Sequence, residues 1–236
     1  MSDAGKIVVF DLDQTLGCFN EIGIFWGALN KIMNYNTHQQ FFEVMNTFPE
    51  FLRPKILTII KTILDKKRIG KCDKIVIYTN NSGPKEWVQM IADYFEYIFD
   101  EKVFEVIYAF KHNDTVNDSC RTSENKNTRD LLCCAKVPPE TKICFFDDVF
   151  HPLMKVPNVY YIKIKPFYCS LPYRIMAERY CGLYIDLREH PTVVDNIVEH
   201  MEKYTYSVIN KSPTETEVDE IVGKQMVFHI NKFFDS

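Results

Sequence analysis

Two aspartates one residue apart, Asp11 and Asp13, close the apolar run 7–10 and are followed by Thr15. The run reads as a short buried strand, and in extended chain residues i and i+2 point to the same side. A strand that delivers Asp11 and then turns therefore brings two carboxylates near one point. They repel there unless a positive charge lies between them or one keeps a proton. A divalent cation with oxygen ligands is the usual solution. One carboxylate can then attack an electrophile while the other moves protons. So short a motif also occurs as a solvated acidic turn, and the rest of the chain has to decide.

The elements that would position such a site alternate in type. Residues 74–79 form a second β-branched strand, which ends in the polar turn Thr79-Asn80-Asn81-Ser82-Gly83-Pro84. The helix that follows is expected to bury Trp87, Val88, Ile91, Phe95, Ile98 and Phe99. A turn at a helix N-terminus offers N–H groups to an anion, and Thr79 adds a hydroxyl, although any α/β fold contains such links. Residues 104–110 read as a third strand and 111–125 as a polar loop. A helix is expected over 126–135, stopped by Pro138-Pro139. Residues 143–146 form a fourth strand, ending in Asp147-Asp148, and 159–162 a fifth. This alternation predicts an α/β, Rossmann-like fold: a mostly parallel sheet covered by helices on both faces. Parallel strands put their C-terminal ends on one edge, where such folds bind ligands. Asp11, Thr79, Asp147 and Asp148 all fall at predicted C-terminal ends, so that edge can gather them.

Two stretches lie outside this frame. The aromatic-rich insert 17–52 carries two helical patterns: Phe25, Trp26, Leu29, Ile32 and Met33, then Phe41, Phe42, Met45 and Phe48 opened by Thr37. It reads as packing over the core, or as a flap beside Asp11. Pro54 is expected to start an amphipathic helix with Ile56, Leu57, Ile59, Ile60, Ile63 and Leu64 on its apolar face, Lys66-Lys67-Arg68 at its negative pole and Gly70 as its stop. Residues 1–169 then make the core. Residues 170–236 make a helical extension packed on it, with helices near 191–204 and 213–233.

Composition narrows the partners. The chain has 236 residues, 46% of them apolar, and a net charge of −4, which suits a folded domain. It has no long basic run, so nucleic-acid binding is not indicated, though a local basic groove stays open as a reading. The N-terminus lacks a signal-peptide layout and no run is long enough to span a bilayer. The expectation is an intracellular protein, cytoplasmic or nuclear, without a membrane partner. Eight cysteines are present. They lack any C-x-x-C pair, and most sit in or beside apolar runs. They are read as free, reduced thiols, with no zinc site.

The set Asp11, Asp13, Thr79, Asn80, a lysine, Asp147 and Asp148 resembles the haloacid dehalogenase superfamily of aspartate-nucleophile phosphatases. D-x-D-x-T, a strand ending in threonine, a lysine and an acidic pair after a strand appear in the family's order over residues 7–148. Arg53-Pro54, Cys120, the segment 126–131, and Asp147-Asp148 followed by Pro152 and Asn158 are similar to the branch acting on the RNA polymerase II C-terminal domain. The chain differs from that branch at Gln14 and at Asn80-Asn81. The resemblance implies that Asp11 attacks phosphorus, that Asp13 acts as general acid and base, and that Thr79 and the Asn80 N–H hold a phosphate oxygen. It implies Mg²⁺ among Asp11, Asp13, Asp147 and Asp148, one of the last two binding metal while the other orients the lysine or a water. Lys126 is preferred for that lysine over Lys136 and Lys111. His151 is read as a surface histidine. The implied activity is phosphomonoester hydrolysis on phosphoserine or phosphothreonine of a protein. The alternatives are a small metabolite, a nucleotide or a nucleic-acid 3′-phosphate as substrate, or a binding module without turnover.

Overall fold

Five parallel strands form one sheet in the order β3-β2-β1-β4-β5. They are β1 (Lys6–Phe10), β2 (Lys74–Tyr78), β3 (Phe104–Ile107), β4 (Lys142–Asp147) and β5 (Val159–Lys163). The computed structural model describes residues 4–109, 120–184, 191–205 and 207–235. The alternation seen in the sequence is what divides the core. Val8, Phe10, Ile75, Ile77, Cys144 and Phe146 face one side of the sheet, and Ile7, Val9, Val76, Tyr78, Ile143 and Phe145 face the other, as a two-residue period requires. Strands buried on both faces read as continuous apolar runs, which is why β1, β2 and β4 were legible.

The two faces are covered unequally. The larger core takes α1 (Asn20–Met33), α2 (His38–Thr47), α3 (Ile56–Arg68), α4 (Lys85–Phe99), α6 (Tyr173–Cys181), α7 (Pro191–Glu202) and α8 (Pro213–Asp235). The smaller takes α5 (Thr128–Ala135), through Leu131 and Ala135, together with Met154. In α3 the buried stripe is Ile56, Ile59, Ile60, Ile63 and Leu64, whereas Leu57, expected on the same face, is exposed. Each buried side chain contributes about 1.5–3 kcal/mol relative to exposure. The helix starts at Ile56 rather than Pro54. Lys55 takes a left-handed φ of 67°, and the Arg53 N–H is already bound to the Leu16 carbonyl at 3.0 Å. The chain just ahead of the helix is thus tied to the Asp13 loop instead of being wound into the first turn.

The insert packs mainly as core. Thr37 and Gln40 form a capping box at the start of α2. Phe25 lies edge-on to Phe48 and Tyr180, fully buried. Gly17 admits the close crossing of Phe51, whose carbonyl would stand 2.6 Å from any Cβ there. At the other end of the chain, α8 packs on α3, and Lys6 Nζ donates to the Phe233 carbonyl at 3.0 Å. Met226, Ile230 and Phe233 thereby join the same core as the sheet. Helix α6 was not predicted. Its buried Met176, Ala177, Tyr180 and Cys181 are interrupted by Arg174, Glu178 and Arg179, leaving a weak period.

Three expectations change. Strand β3 ends at Ile107, and Phe110 with most of the predicted polar loop lies outside the described residues. In α4, Val88, Ile91 and Phe95 are buried, whereas Trp87, Ile98 and Phe99 are only partly so. The cysteines are not all free, because Cys120 is disulfide-bonded to Cys134. Cys133 and Cys134 are neighbours in sequence, but successive helix residues point about 100° apart. Cys133 therefore faces solvent while Cys134 meets the loop. The other thiols are free as expected: Cys18, Cys72, Cys144 and Cys181 are buried and Cys169 is partly so. Among the described residues no helix is long and apolar enough to cross a membrane.

Candidate functional site

The sheet order reverses at β1, whose neighbours are β2 and β4. Those three strands carry the predicted residues. Phe10 pairs with Ile77 and Phe146, and the Asp11 N–H continues the ladder to the Phe146 carbonyl at 2.9 Å. Asp11 therefore emerges beside Asp147, with Thr79 just beyond β2, at the crevice such topology creates.

Lys126 joins them. Its Nζ donates to Asp11 Oδ1 at 2.5 Å and to Asp147 Oδ2 at 2.7 Å, and it is almost fully buried. It stands just ahead of α5, where Asn127 caps the helix by accepting from the Asp130 N–H. The Asn127 N–H reaches the Tyr78 hydroxyl at 3.2 Å, which ties the lysine's segment to β2. The ammonium also lies over the rings of Tyr78 and Phe145, a favourable setting for a desolvated cation. Burial alone would lower the Lys126 pKa, but the charges of Asp11 and Asp147 outweigh it and raise it. Lys136 sits exposed at the far end of α5, in the left-handed cap position, and Lys111 lies outside the described residues.

Each carboxylate has its own environment. Burial pushes Asp11 up to about 7; Lys126 opposes the shift and the charge of Asp147 adds to it. Asp13 is also raised by burial, while a hydrogen bond from Asn81 Nδ2, 2.7 Å from Oδ2, pulls it back. Its second oxygen, Oδ1, is buried without a protein partner. Burial works to raise Asp147, but His151 and Lys126 prevail and its pKa is lowered. Its Oδ1 accepts the Val149 N–H at 2.8 Å, and its Oδ2 faces both Lys126 and His151. Asp148 accepts a longer bond of 3.3 Å from the Thr15 hydroxyl and is raised by burial and by Asp147. Oxygens of Asp11, Asp147 and Asp148 lie within 4.8 Å of one another, a spacing and donor set that fit a hard divalent cation. The Asp13 side chain does not belong to that cluster and faces Asn81 instead. Asp147 is engaged with the lysine, which leaves Asp148 the more open of the pair.

Thr79 is buried, and its hydroxyl accepts the Asn81 N–H at 2.9 Å. Asn80 lines the same cavity, with its side-chain oxygen held by Arg121 at 2.8 Å. Four residues take parts that sequence reading did not assign. Arg121 also holds the Thr79 carbonyl at 3.0 Å and stacks over Tyr78. Asn81 positions Asp13. Arg53, quoted in the sequence only as part of a family pattern, pins the turn after Asp13. Its Nε donates to the Thr15 carbonyl at 2.6 Å, and its Nη2 to the carbonyls of Gln14 and Lys165. His151 is not a plain surface residue: its Nε2 stands 3.2 Å from Asp147 Oδ2 and its side chain is 15% exposed. Asn81 and His151 follow the ends of β2 and β4 closely in sequence, whereas Arg53 and Arg121 lie far from any strand end.

The cavity around the cluster measures about 800 Å³ and is open to solvent. Comparison of the chain with protein-family models, with curated proteins and with solved structures finds no match. The functional reading therefore rests on the site's own geometry.

Proposed function

We propose that this protein is a Mg²⁺-dependent phosphomonoesterase that uses Asp11 as its nucleophile and acts on phosphoserine or phosphothreonine of a protein. The observation that carries this reading is Lys126, buried between Asp11 and Asp147 with the unpartnered Asp13 oxygen beside them. Asp11 attacks phosphorus to form an aspartyl-phosphate, while the leaving oxygen takes a proton from Asp13. Asp13 then removes a proton from water, which attacks the same phosphorus, frees phosphate and restores Asp11. A raised pKa suits Asp13 to carry that proton. Lys126, the Thr79 hydroxyl and the Asn80 N–H would meet phosphate charge, and being fixed in advance they need little reorganisation. Asp11, Asp148 and Asp147, with the Asp13 carbonyl, would hold the cation. When bound, it would screen the repulsion between an anionic carboxylate and an anionic phosphate.

A protein substrate is supported by the open cavity and by the insert, whose aromatics are mostly spent in the core instead of closing over Asp11. The test is phosphate release from phosphoserine peptides with Mg²⁺ and with EDTA. Turnover should need the metal. Asp11→Asn should abolish it in a folded protein, and Asp13→Asn should slow it by roughly 10²–10⁴-fold. A folded Asp11→Asn variant with the wild-type rate would falsify the mechanism.

A further inference from the structure

Beyond the carboxylates the cavity continues as an apolar slot that the chemistry at Asp11 leaves unused. Gly23 and Trp26 of α1 and Trp87 and Met90 of α4 line it together. The Trp87 ring lies against Gly23, where a Cβ would stand 3.2 Å from Trp87 Cζ2. Both indoles stand edge-on to the same fully buried ring, Phe41, at 5.5 Å for Trp26 and 5.4 Å for Trp87. The walls are thus braced from behind, and the slot is a formed surface.

Size and charge together describe its occupant. A cavity of about 800 Å³ is in the range that encloses a whole ligand of several hundred Å³, far more than one phosphate needs. Among the described residues the cations lining it are Lys126 and, when protonated, His151, and both are engaged with Asp147. Glu86 adds a negative charge on the α4 side. Among the described residues a second phosphate would find no further cation in the slot, which disfavours a nucleic-acid strand or a nucleoside polyphosphate. An uncharged apolar group fits.

We propose that this slot receives a bulky apolar or aromatic side chain next to the phosphorylated residue, and that the protein selects phosphopeptides by that neighbour. The proposal rests on the phosphomonoesterase reading and adds to it a specificity determinant, chiefly Trp87.

The experiment compares kcat/KM for short phosphoserine peptides that differ only in having Leu, Phe or Gly at the flanking positions. A 3′-phosphorylated oligonucleotide and a nucleoside monophosphate serve as further substrates. The wild type should prefer the Leu or Phe peptide over the Gly peptide by about 10- to 100-fold, the usual reach of a hydrophobic pocket. Trp87→Ala should bring that ratio close to one, and Trp87→Phe should keep most of it. Gly23→Val, which crowds the indole, should lower it as well. Because the ratio is taken within one variant, a general loss of folded enzyme cancels. Equal rates on all peptides, a ratio untouched by Trp87→Ala, or a nucleotide substrate that outruns every peptide would each overturn the slot's role. Turnover without discrimination defeats the slot alone. No turnover of any phosphoester defeats the phosphatase reading, and the slot with it.

Discussion

Replacing Lys126 with methionine keeps most of the side chain's volume and removes its charge. The ammonium lies 2.5 Å from Asp11 Oδ1 and 2.7 Å from Asp147 Oδ2. Coulomb's law at an effective dielectric constant of about 20 assigns each contact roughly 6 kcal/mol. Desolvation of the three groups offsets much of this, as does repulsion between carboxylates whose oxygens are within 4.8 Å. What remains on deletion is the cost of leaving buried charge uncompensated, about 3–5 kcal/mol. Urea unfolding of the metal-free protein near neutral pH, extrapolated linearly, should show a loss of that size. The loss should also depend on pH. Asp11 already sits at about 7 against an ordinary 3.8, and without the lysine it rises further. The folded variant then holds protons that the unfolded chain has released. Its deficit is therefore greatest at high pH and shrinks as pH falls towards the ordinary carboxylate range. Lys136→Ala, at the exposed end of α5, should change neither stability nor turnover by much. A Lys126→Met protein as stable as the wild type at every pH, or a deficit that ignores pH, would refute the claim that this lysine neutralises a buried carboxylate pair.

Two further expectations concern groups away from the cluster. Glu21 is 3% exposed and accepts the Leu171 N–H at 3.1 Å; burial pushes its carboxyl up to about 7 while that hydrogen bond pulls it down. The stability it confers is present below about 4.5 and lost as pH rises through about 7, so Glu21→Gln should exceed the wild type by about 2 kcal/mol at mildly alkaline pH. That gap should close in acid; denaturant unfolding across the pH range checks it, and a constant gap would contradict it. Reducing the Cys120–Cys134 bond, which spans 14 residues, should cost about 3 kcal/mol by loop entropy. Unfolding with and without dithiothreitol measures this, and Cys133→Ser should leave the difference in place because that thiol is free and exposed.

The sequence by itself determined the strands of the sheet and which residues lie on the edge of the candidate site. Runs such as 7–10, 75–78 and 143–146 are apolar without a break because their strands are buried on both faces, and a strand's direction fixes which residue lies at its C-terminal end. Asp11, Thr79, Asp147 and Asp148 could therefore be placed on one edge before any coordinates. Local signals likewise reported the Thr37 cap and the long stripe of α3. The sequence preferred Lys126 for the lysine at Asp11, and the tertiary structure brings its ammonium there. Lys126 and Lys136 flank the same helix, and only the docking of α5 beneath Tyr78 and Phe145 turns one of them inward. It also separated Asp147 from Asp148, through the approach of Lys126 and His151. Arg53, Asn81 and Arg121 became visible only there, because each acts by a hydrogen bond across 38 to 68 residues of chain. The Cys120–Cys134 bond and the Trp26–Trp87 slot share that origin. Secondary structure is written in spacings of two to four residues, whereas contacts between distant segments depend on how whole elements pack, which no local pattern encodes.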